Sequence, residues 1–262
     1  MNQTLERLHD IEKNGYQIDF GDVFNHAFEN YKRIALYAGS VLVIFIVLFL
    51  ILTSVSLVSV LGVNEIKELT PEKFKIENLS QSAQMALGIF SIFTSCLLSP
   101  FFASFLKMAD RGEKDLEFPV SSLFSYYKFP YLKEILVSTF IISVISFAQS
   151  TLFVYLKLEI LGSLINYFIS FITLLTVPLI IFGNLQAIDA IRYSIKIVFQ
   201  EPVVILGLAV VALIGVFVGI MGCCVGIFFT MPFIYSMHYA IYSAIVGIDD
   251  TTKMNTNNYS NT

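Results

Sequence analysis

The chain has 262 residues, of which 56% are hydrophobic and only 14% are charged, and its formal net charge is −4 at pH 7. Soluble domains carry about 25% charged residues, so the composition excludes an ordinary soluble enzyme and a basic nucleic-acid-binding surface. The charges are separated from long apolar segments, and this pattern predicts an all-α membrane protein.

Residues 1–19 form a polar N-terminal leader, and the first apolar segment begins only near residue 36. A cleaved signal peptide would place its apolar region within about the first 15–30 residues. We therefore predict that the leader is retained and that the first apolar segment is a membrane anchor.

Further apolar segments follow along the rest of the chain. A bilayer core about 30 Å thick is crossed by roughly 20 helical residues, so four of the segments are predicted to be one span each. The last segment, 202–248, has 47 residues without Asp, Glu, Lys or Arg, enough for two spans and a tight turn near residues 219–226. The chain is thus predicted to have six transmembrane helices, or five if the last hairpin is re-entrant. The first four predicted spans are 36–61, 83–108, 133–156 and 160–182.

A short amphipathic segment precedes each pair of spans, which divides the transmembrane domain, residues 20–248, into three similar helical hairpins. The units cover residues 20–108, 118–183 and 185–248, and their amphipathic segments cover residues 20–34, 118–127 and 186–200. Residues 249–262 are rich in Asn and Thr and are predicted to be a disordered tail. The second span of each unit contains a proline, which kinks or breaks helices; the candidate kinks are Pro100, Pro178 and Pro232.

The distribution of Lys and Arg predicts the orientation. Twelve of the sixteen fall on the side that holds both termini, and the positive-inside rule places that side in the cytoplasm. All three amphipathic segments then lie on the cytoplasmic face, where an interfacial position would bury their apolar sides in lipid. They serve either as elbows that orient the spans or as a lipid- or partner-binding surface. The candidate contacts with lipid head groups are Lys32, Arg33, Lys128, Arg192 and Lys196.

Three polar side chains within the predicted spans form a candidate intramembrane site: His238, Asn166 and Gln149. Intramembrane ionisable groups are costly and are therefore functional candidates. His238 is either a packing residue bonded to nearby hydroxyls or part of a site, and the two amides either bond to neighbouring helices or line a polar cavity.

No other chemistry is expected. The three histidines cannot obviously converge on a metal, the three cysteines have no CxxC spacing, and no paired carboxylates lie within a span. We expect neither a cofactor nor an enzymatic activity. Two GxxxG spacings in the last segment, at residues 215–219 and 222–226, indicate close helix packing within the hairpin or a dimer contact.

Three short stretches carry a resemblance to a known group. They are Phe20–Lys32, with Phe-Gly-Asp-Val-Phe at its start, Ala190–Ser194 running on to Pro202, and Thr230–Tyr242, with Thr-Met-Pro at its start. In layout the chain resembles poorly characterised bacterial membrane proteins, including the membrane domain attached to some glycerophosphodiester phosphodiesterases. The resemblance implies a six-helix module of the bacterial inner membrane without catalytic residues. The phosphodiesterase activity of those relatives lies in a separate soluble domain, for which this chain is expected to have no room.

Two functions follow as hypotheses. The first is a non-enzymatic module that organises membrane lipids or a partner, which is another membrane protein or a second copy of the chain. The second is a transporter of a small molecule or lipid, because transporters place polar groups beside interrupted helices.

Overall fold

The computed structural model describes residues 3–61, 81–221 and 226–248, and all secondary structure in these ranges is helical. The elements are α1 Gln3–Asn14, α2 Phe20–Leu61, α3 Gln81–Glu113, the 3₁₀ helix η1 Val120–Tyr127, α4 Tyr131–Tyr155, α5 Glu159–Ile172, α6 Thr176–Ile181, α7 Ala187–Gln200, α8 Pro202–Met221, α9 Gly226–Thr230 and α10 Pro232–Ile245. Most of the segment between the first two predicted spans, part of the predicted turn at 219–226 and the predicted tail lie outside the described residues.

Five helical segments among the described residues are long and apolar enough to cross a membrane. They are Phe20–Val55, Gln84–Glu113, Tyr131–Tyr155, Glu159–Ile181 and Pro202–Met221. These helices confirm the prediction of an all-helical membrane protein. Four of the predicted spans overlap them closely.

The first amphipathic segment is not a separate interfacial helix, which corrects the prediction for unit one. It continues into the first span as α2, a single helix of 42 residues, because no proline interrupts the segment. Most of its apolar stripe is buried by protein, since Val23, Ala27 and Ile34 are at most 3% exposed, whereas Phe28 is 41% exposed. The stripe packs against the end of α3 and against α10. Sequence periodicity cannot distinguish an apolar face that is buried by protein from one that is buried by lipid.

The other two amphipathic segments are separate elements. The segment of unit two forms the 3₁₀ helix η1, and that of unit three forms α7. The face of α7 that packs inside the protein contains Ala190, Ser194 and Ile197, whereas the apolar side chains of Ile188 and Phe199 are exposed. One side of α7 therefore contacts protein, and part of its apolar surface is exposed.

The polar leader contains an ordered amphipathic helix, α1, that the sequence analysis did not predict. Leu8 and Ile11 are at most 2% exposed, and the helix packs on α7. The Tyr16 hydroxyl donates to the Ile197 carbonyl oxygen at 2.8 Å, and Gln200 Nε2 donates to the Ile11 carbonyl oxygen at 3.0 Å. Burial raises the pKa of the Tyr16 hydroxyl, because desolvation disfavours the charged phenolate. The leader thus belongs to the fold.

The last apolar segment folds back on itself. A Cβ added at Gly226 would lie 2.5 Å from the carbonyl oxygen of Gly219, so the backbones of α8 and α9 are in direct contact there. A Cβ added at Gly215 would lie 2.8 Å from the Phe233 ring. These small residues pack inside the hairpin, as one of the two interpretations of the GxxxG spacing expects.

The end of the molecule where α2 begins and α3 ends is held by polar bonds between α2, α3 and α10. Asn30, which is 3% exposed, donates from Nδ2 to the Ala109 carbonyl oxygen at 2.7 Å and accepts at Oδ1 from the Ser236 hydroxyl at 2.9 Å. The Tyr239 hydroxyl donates to Asp110 at 3.3 Å. Because an unsatisfied buried amide is costly, these bonds fix the positions of the three helices relative to one another.

Candidate functional site

A cavity of about 640 Å³ lies between α3, the junction of α5 with α6, and α10. We call it the hydroxyl groove, after the Ser and Thr side chains on one of its walls. Its lining consists of Phe90, Ser91, Thr94, Ser95, Leu98, Ser99, Phe102, Ala103, Leu106, Leu174, Val177, Pro178, Tyr235 and His238.

The α3 wall carries four hydroxyl groups, at residues 91, 94, 95 and 99, because spacings of three and four place side chains on one helical face. Pro100 follows this run and cannot donate to the carbonyl oxygen of Cys96. The Ser99 hydroxyl donates to that oxygen at 3.0 Å instead. Among the described residues, Ser91, Thr94 and Ser95 have no hydrogen-bond partner for their hydroxyls.

The second wall is formed where the predicted fourth span is interrupted. Helix α5 ends at Ile172 and α6 begins at Thr176. Ser194 of α7, which is fully buried, accepts from the Leu175 N–H at 3.1 Å and donates to the Ile172 carbonyl oxygen at 3.0 Å. Freed backbone groups at membrane depth need partners, and Ser194 supplies them.

The third wall is the face of α10 that carries Tyr235 and His238. The Tyr235 ring stacks on Phe105 at a centroid distance of 5.2 Å. Two of the hydroxyls near His238 in sequence bond elsewhere, since Ser236 bonds to Asn30 and Tyr239 to Asp110. In the part of the chain that the structure describes, the imidazole of His238 and the Tyr235 hydroxyl have no hydrogen-bond partner. His238 therefore borders a cavity and is not bonded to the hydroxyls near it in sequence.

The groove is long and narrow. Its α3 wall extends from Phe90 to Leu106, a length of about 24 Å at 1.5 Å per residue. At the Phe90 end the groove opens to the side, because Ser91 and Ser95 are exposed. At the other end Ala103 and Leu106 are 2% exposed, so that end is closed by packing. The groove is therefore open on the side of α3 and closed at one end.

The three polar residues predicted as one intramembrane site do not come together. His238 lines the groove, whereas Gln149 and Asn166 are not part of its lining. Gln149 Nε2 donates to the Gly162 carbonyl oxygen at 2.9 Å and joins α4 to α5, while its Oε1 is buried without a partner among the described residues. Asn166 is half-buried on α5. The amide of Gln149 thus bonds to a neighbouring helix, one of the two roles considered for it.

The three prolines occupy different positions in their helices. Pro100 lies within the continuous helix α3, Pro178 lies in the short helix α6 just after a break, and Pro232 is the first residue of α10. Two of the three elements that carry them are thus separated from the preceding helix. Pro178 itself lines the groove.

Two of the five cations predicted to contact lipid head groups are engaged between elements. Arg33 bonds to Asp115 at 2.8 Å, and Lys196 bonds to Glu12 of α1. The hydrogen bond from Lys196 holds the pKa of the Glu12 carboxyl below its usual range.

The other three remain at the surface. Lys32 pairs with Glu29 on its own helix at 2.7 Å, the Arg192 guanidinium is 3.9 Å from Asp189, and Lys128 is exposed. Contact of these side chains with lipid head groups stays a prediction. Of the three, Lys128 and Arg192 are the least engaged within the described residues.

The four hydroxyl residues of the groove were not predicted, although their helical spacing is visible in the sequence. No three His, Cys, Asp or Glu side chains among the described residues are grouped so that they could hold a metal ion.

Comparison of the chain with protein-family models, with curated proteins and with solved structures found no match.

Proposed function

We propose that this protein is a non-enzymatic lipid-binding module of the bacterial inner membrane, with six spans in three hairpins and both termini in the cytoplasm. The groove of about 640 Å³ at membrane depth is the observation that carries the proposal. Its position between spans and its lateral opening favour a membrane lipid as the occupant over a water-soluble molecule.

The proposal of a sixth span depends on α9 and α10. Together they cover residues 226–245, about 30 Å of helix, which matches the thickness of a bilayer core. Tyr235 contacts Phe105 and Tyr239 contacts Asp110, so α10 runs in the same direction as α3. Two spans that are each the second span of a hairpin are expected to run in the same direction across the membrane.

The chemistry of the groove supports a binding role over a catalytic one. A serine nucleophile is activated when a general base accepts its proton. Ser99 donates its proton to a backbone carbonyl oxygen instead, and His238 makes no hydrogen bond to any hydroxyl in the described part of the chain.

Photo-crosslinking tests the proposal. Purified protein in vesicles would be exposed to phospholipids with a diazirine in one acyl chain, and labelled residues would be mapped by mass spectrometry. We expect labels on the groove wall of α3. Ser95→Phe, which fills the open end of the groove, should remove most of this labelling. Ser170→Phe is the matched control, because Ser170 is an exposed serine of α5 outside the groove.

Labels spread evenly over all lipid-facing helices, with no difference between the two variants, would contradict a bound lipid. A circular dichroism spectrum of each variant shows whether its helices are intact.

Transport is a second candidate function, favoured by the interrupted span between α5 and α6. The freed backbone groups there are held by one hydroxyl of a separate helix, and transporters use interrupted helices of this kind. Movement of fluorescent lipids between the leaflets of reconstituted vesicles would test it. Transport should be changed by Ser194→Ala and His238→Leu but not by Gln149→Leu; equal rates with and without protein would exclude it.

A further inference from the structure

We infer that the hydroxyl groove selects a lipid with an uncharged, hydroxyl-bearing head group, such as a glycosyl diacylglycerol, over an anionic phospholipid. The inference depends on the proposed lipid-binding function and adds the chemical class of the ligand. Three properties of the groove support it: the charge of its lining, the availability of its polar groups and their depth in the membrane.

The lining contains six polar side chains: four hydroxyls, one phenol and one imidazole. In their ordinary forms, none of these groups carries a formal charge at neutral pH. Neither Lys nor Arg is among the described residues that line it. A phosphate in an apolar environment needs a cationic partner, because burying an unpaired charge is far more costly than burying a hydroxyl.

The cations that follow the groove lining along α3 have contacts of their own, and among them Arg111 donates from Nε to the Glu117 carbonyl oxygen at 2.7 Å. Lys107 follows the lining residue Leu106, but its Nζ lies over the ring of Tyr126, 5.8 Å from the centroid. Lys114, two turns further along α3, bonds to Asp110. A phosphate in the groove would therefore have no ammonium group beside it.

The polar groups of the groove are available for a ligand. The hydroxyls of Ser91, Thr94 and Ser95 have no partner among the described residues, and the same holds for Tyr235 and His238. Serine and threonine in a helix usually bond to a carbonyl oxygen of the preceding turn, as Ser163 and Thr151 do here. Hydroxyl groups of a sugar can both donate to these side chains and accept from them.

The depth of these groups distinguishes a sugar from a charged head group. The part of α3 that is long and apolar enough to span a membrane covers residues 84–113, so the hydroxyls at 91–99 lie inside it, from about two turns after its first residue to its midpoint. A charge is most costly at that depth, whereas a neutral group that keeps its hydrogen bonds is tolerated. The row of hydroxyls therefore offers hydrogen-bond partners to a neutral polar head group, at a depth that an anionic head group would avoid.

Three photoactivatable lipids with identical acyl chains test the inference: glucosyl diacylglycerol, phosphatidylglycerol and diacylglycerol. We expect glucosyl diacylglycerol to label the groove at least about fivefold more than either of the others, the ratio that one additional net hydrogen bond supplies. The triple variant Ser91→Ala, Thr94→Val, Ser95→Ala should reduce this ratio to about one. The control variant Thr151→Val, Ser163→Ala, Ser170→Ala removes three exposed hydroxyls outside the groove and should leave the ratio unchanged.

The outcomes separate the two proposals. Groove labelling by phosphatidylglycerol equal to or above that by the glycolipid would overturn the inference and leave lipid binding intact. Equal labelling by diacylglycerol and the glycolipid would show that the hydroxyls do not select the head group, which also overturns it. If none of the lipids labels the groove above the rest of the surface, the proposed lipid-binding function fails, and the inference fails with it.

Discussion

Ser194 accepts a hydrogen bond from the backbone N–H of Leu175 at 3.1 Å, and this contact joins helix α7 to the interruption of a membrane span. The same hydroxyl donates to the last carbonyl of α5. A side chain on a helix outside the span thus completes the hydrogen bonding of the span. The geometry of the groove wall depends on α7 for this reason.

Ser194→Ala should lower the free energy of unfolding by about 1–3 kcal/mol, because a buried N–H and a buried carbonyl lose their partner. Thermal unfolding in detergent, followed by circular dichroism, measures the change. Ser163→Ala is the matched control, since its hydroxyl is exposed and bonds only within its own helix. Equal destabilisation by the two substitutions would contradict a special role for Ser194.

Asn30 and Ser236 should be energetically coupled, because the Ser236 hydroxyl donates to the buried Asn30 side chain at 2.9 Å. A double-mutant cycle with Asn30→Ala and Ser236→Ala should give a coupling energy of about 0.5–3 kcal/mol in unfolding experiments. Pairing Asn30→Ala with Ser163→Ala provides a distant control that should be additive. Additivity in both cycles would mean that the contact contributes nothing to stability.

Gly226→Ala should destabilise the last hairpin by about 1–3 kcal/mol, because the new Cβ would meet the backbone of Gly219, which cannot move independently. Gly207→Ala is the comparison, since its Cβ would meet only the ring edge of Phe20, 3.2 Å away, and that ring is 40% exposed. Thermal unfolding of the two variants should differ clearly. A stable Gly226→Ala protein would show that α8 and α9 are further apart.

Docking of α1 on α7 should weaken in acid. The pKa of Glu12 is lowered in the folded protein, first by its hydrogen bond from Lys196. A lowered carboxyl pKa adds stability above the pKa of the unfolded state, about 4.3 for glutamate, and this stability is lost as the pH falls through the folded value. Hydrogen exchange of the α1 amides, corrected for the intrinsic pH effect, should therefore be faster at pH 3 than at pH 6.

Lys196→Met provides the control for this pH effect. Without the ammonium group, the difference between the two pH values should shrink for the α1 amides and stay the same for those of α4. An unchanged difference would assign the acid response to other carboxyl groups.

Apolar segment length was sufficient to predict four of the helices, because a bilayer imposes a minimum length that few other structures require. The same reasoning failed at residues 20–34. A stripe such as Val23, Ala27 and Ile34 can be covered by lipid or by protein, and its periodicity is identical in both cases. Only the positions of α3 and α10 decide between them.

The site was less predictable than the fold for a related reason. His238 was identifiable as an unusual group within a predicted span, but its neighbours in sequence, Ser236 and Tyr239, bond to other helices. The hydroxyls at 91–99 have visible helical spacing, yet such residues commonly bond to their own backbone. Which of them remain available to a ligand depends on the bonding in the folded protein.

Helix α2 has a mechanical consequence. Its 42 residues extend about 63 Å, roughly twice the thickness of a bilayer core. A bilayer that becomes thinner tilts a long helix, and an unbroken helix tilts along its whole length. The half that carries Asn30 must then move with the half in the membrane. The hydrogen bond from Asn30 to Ala109 would then transmit a change in bilayer thickness, as a lever motion, to the end of α3, the helix that carries the hydroxyls.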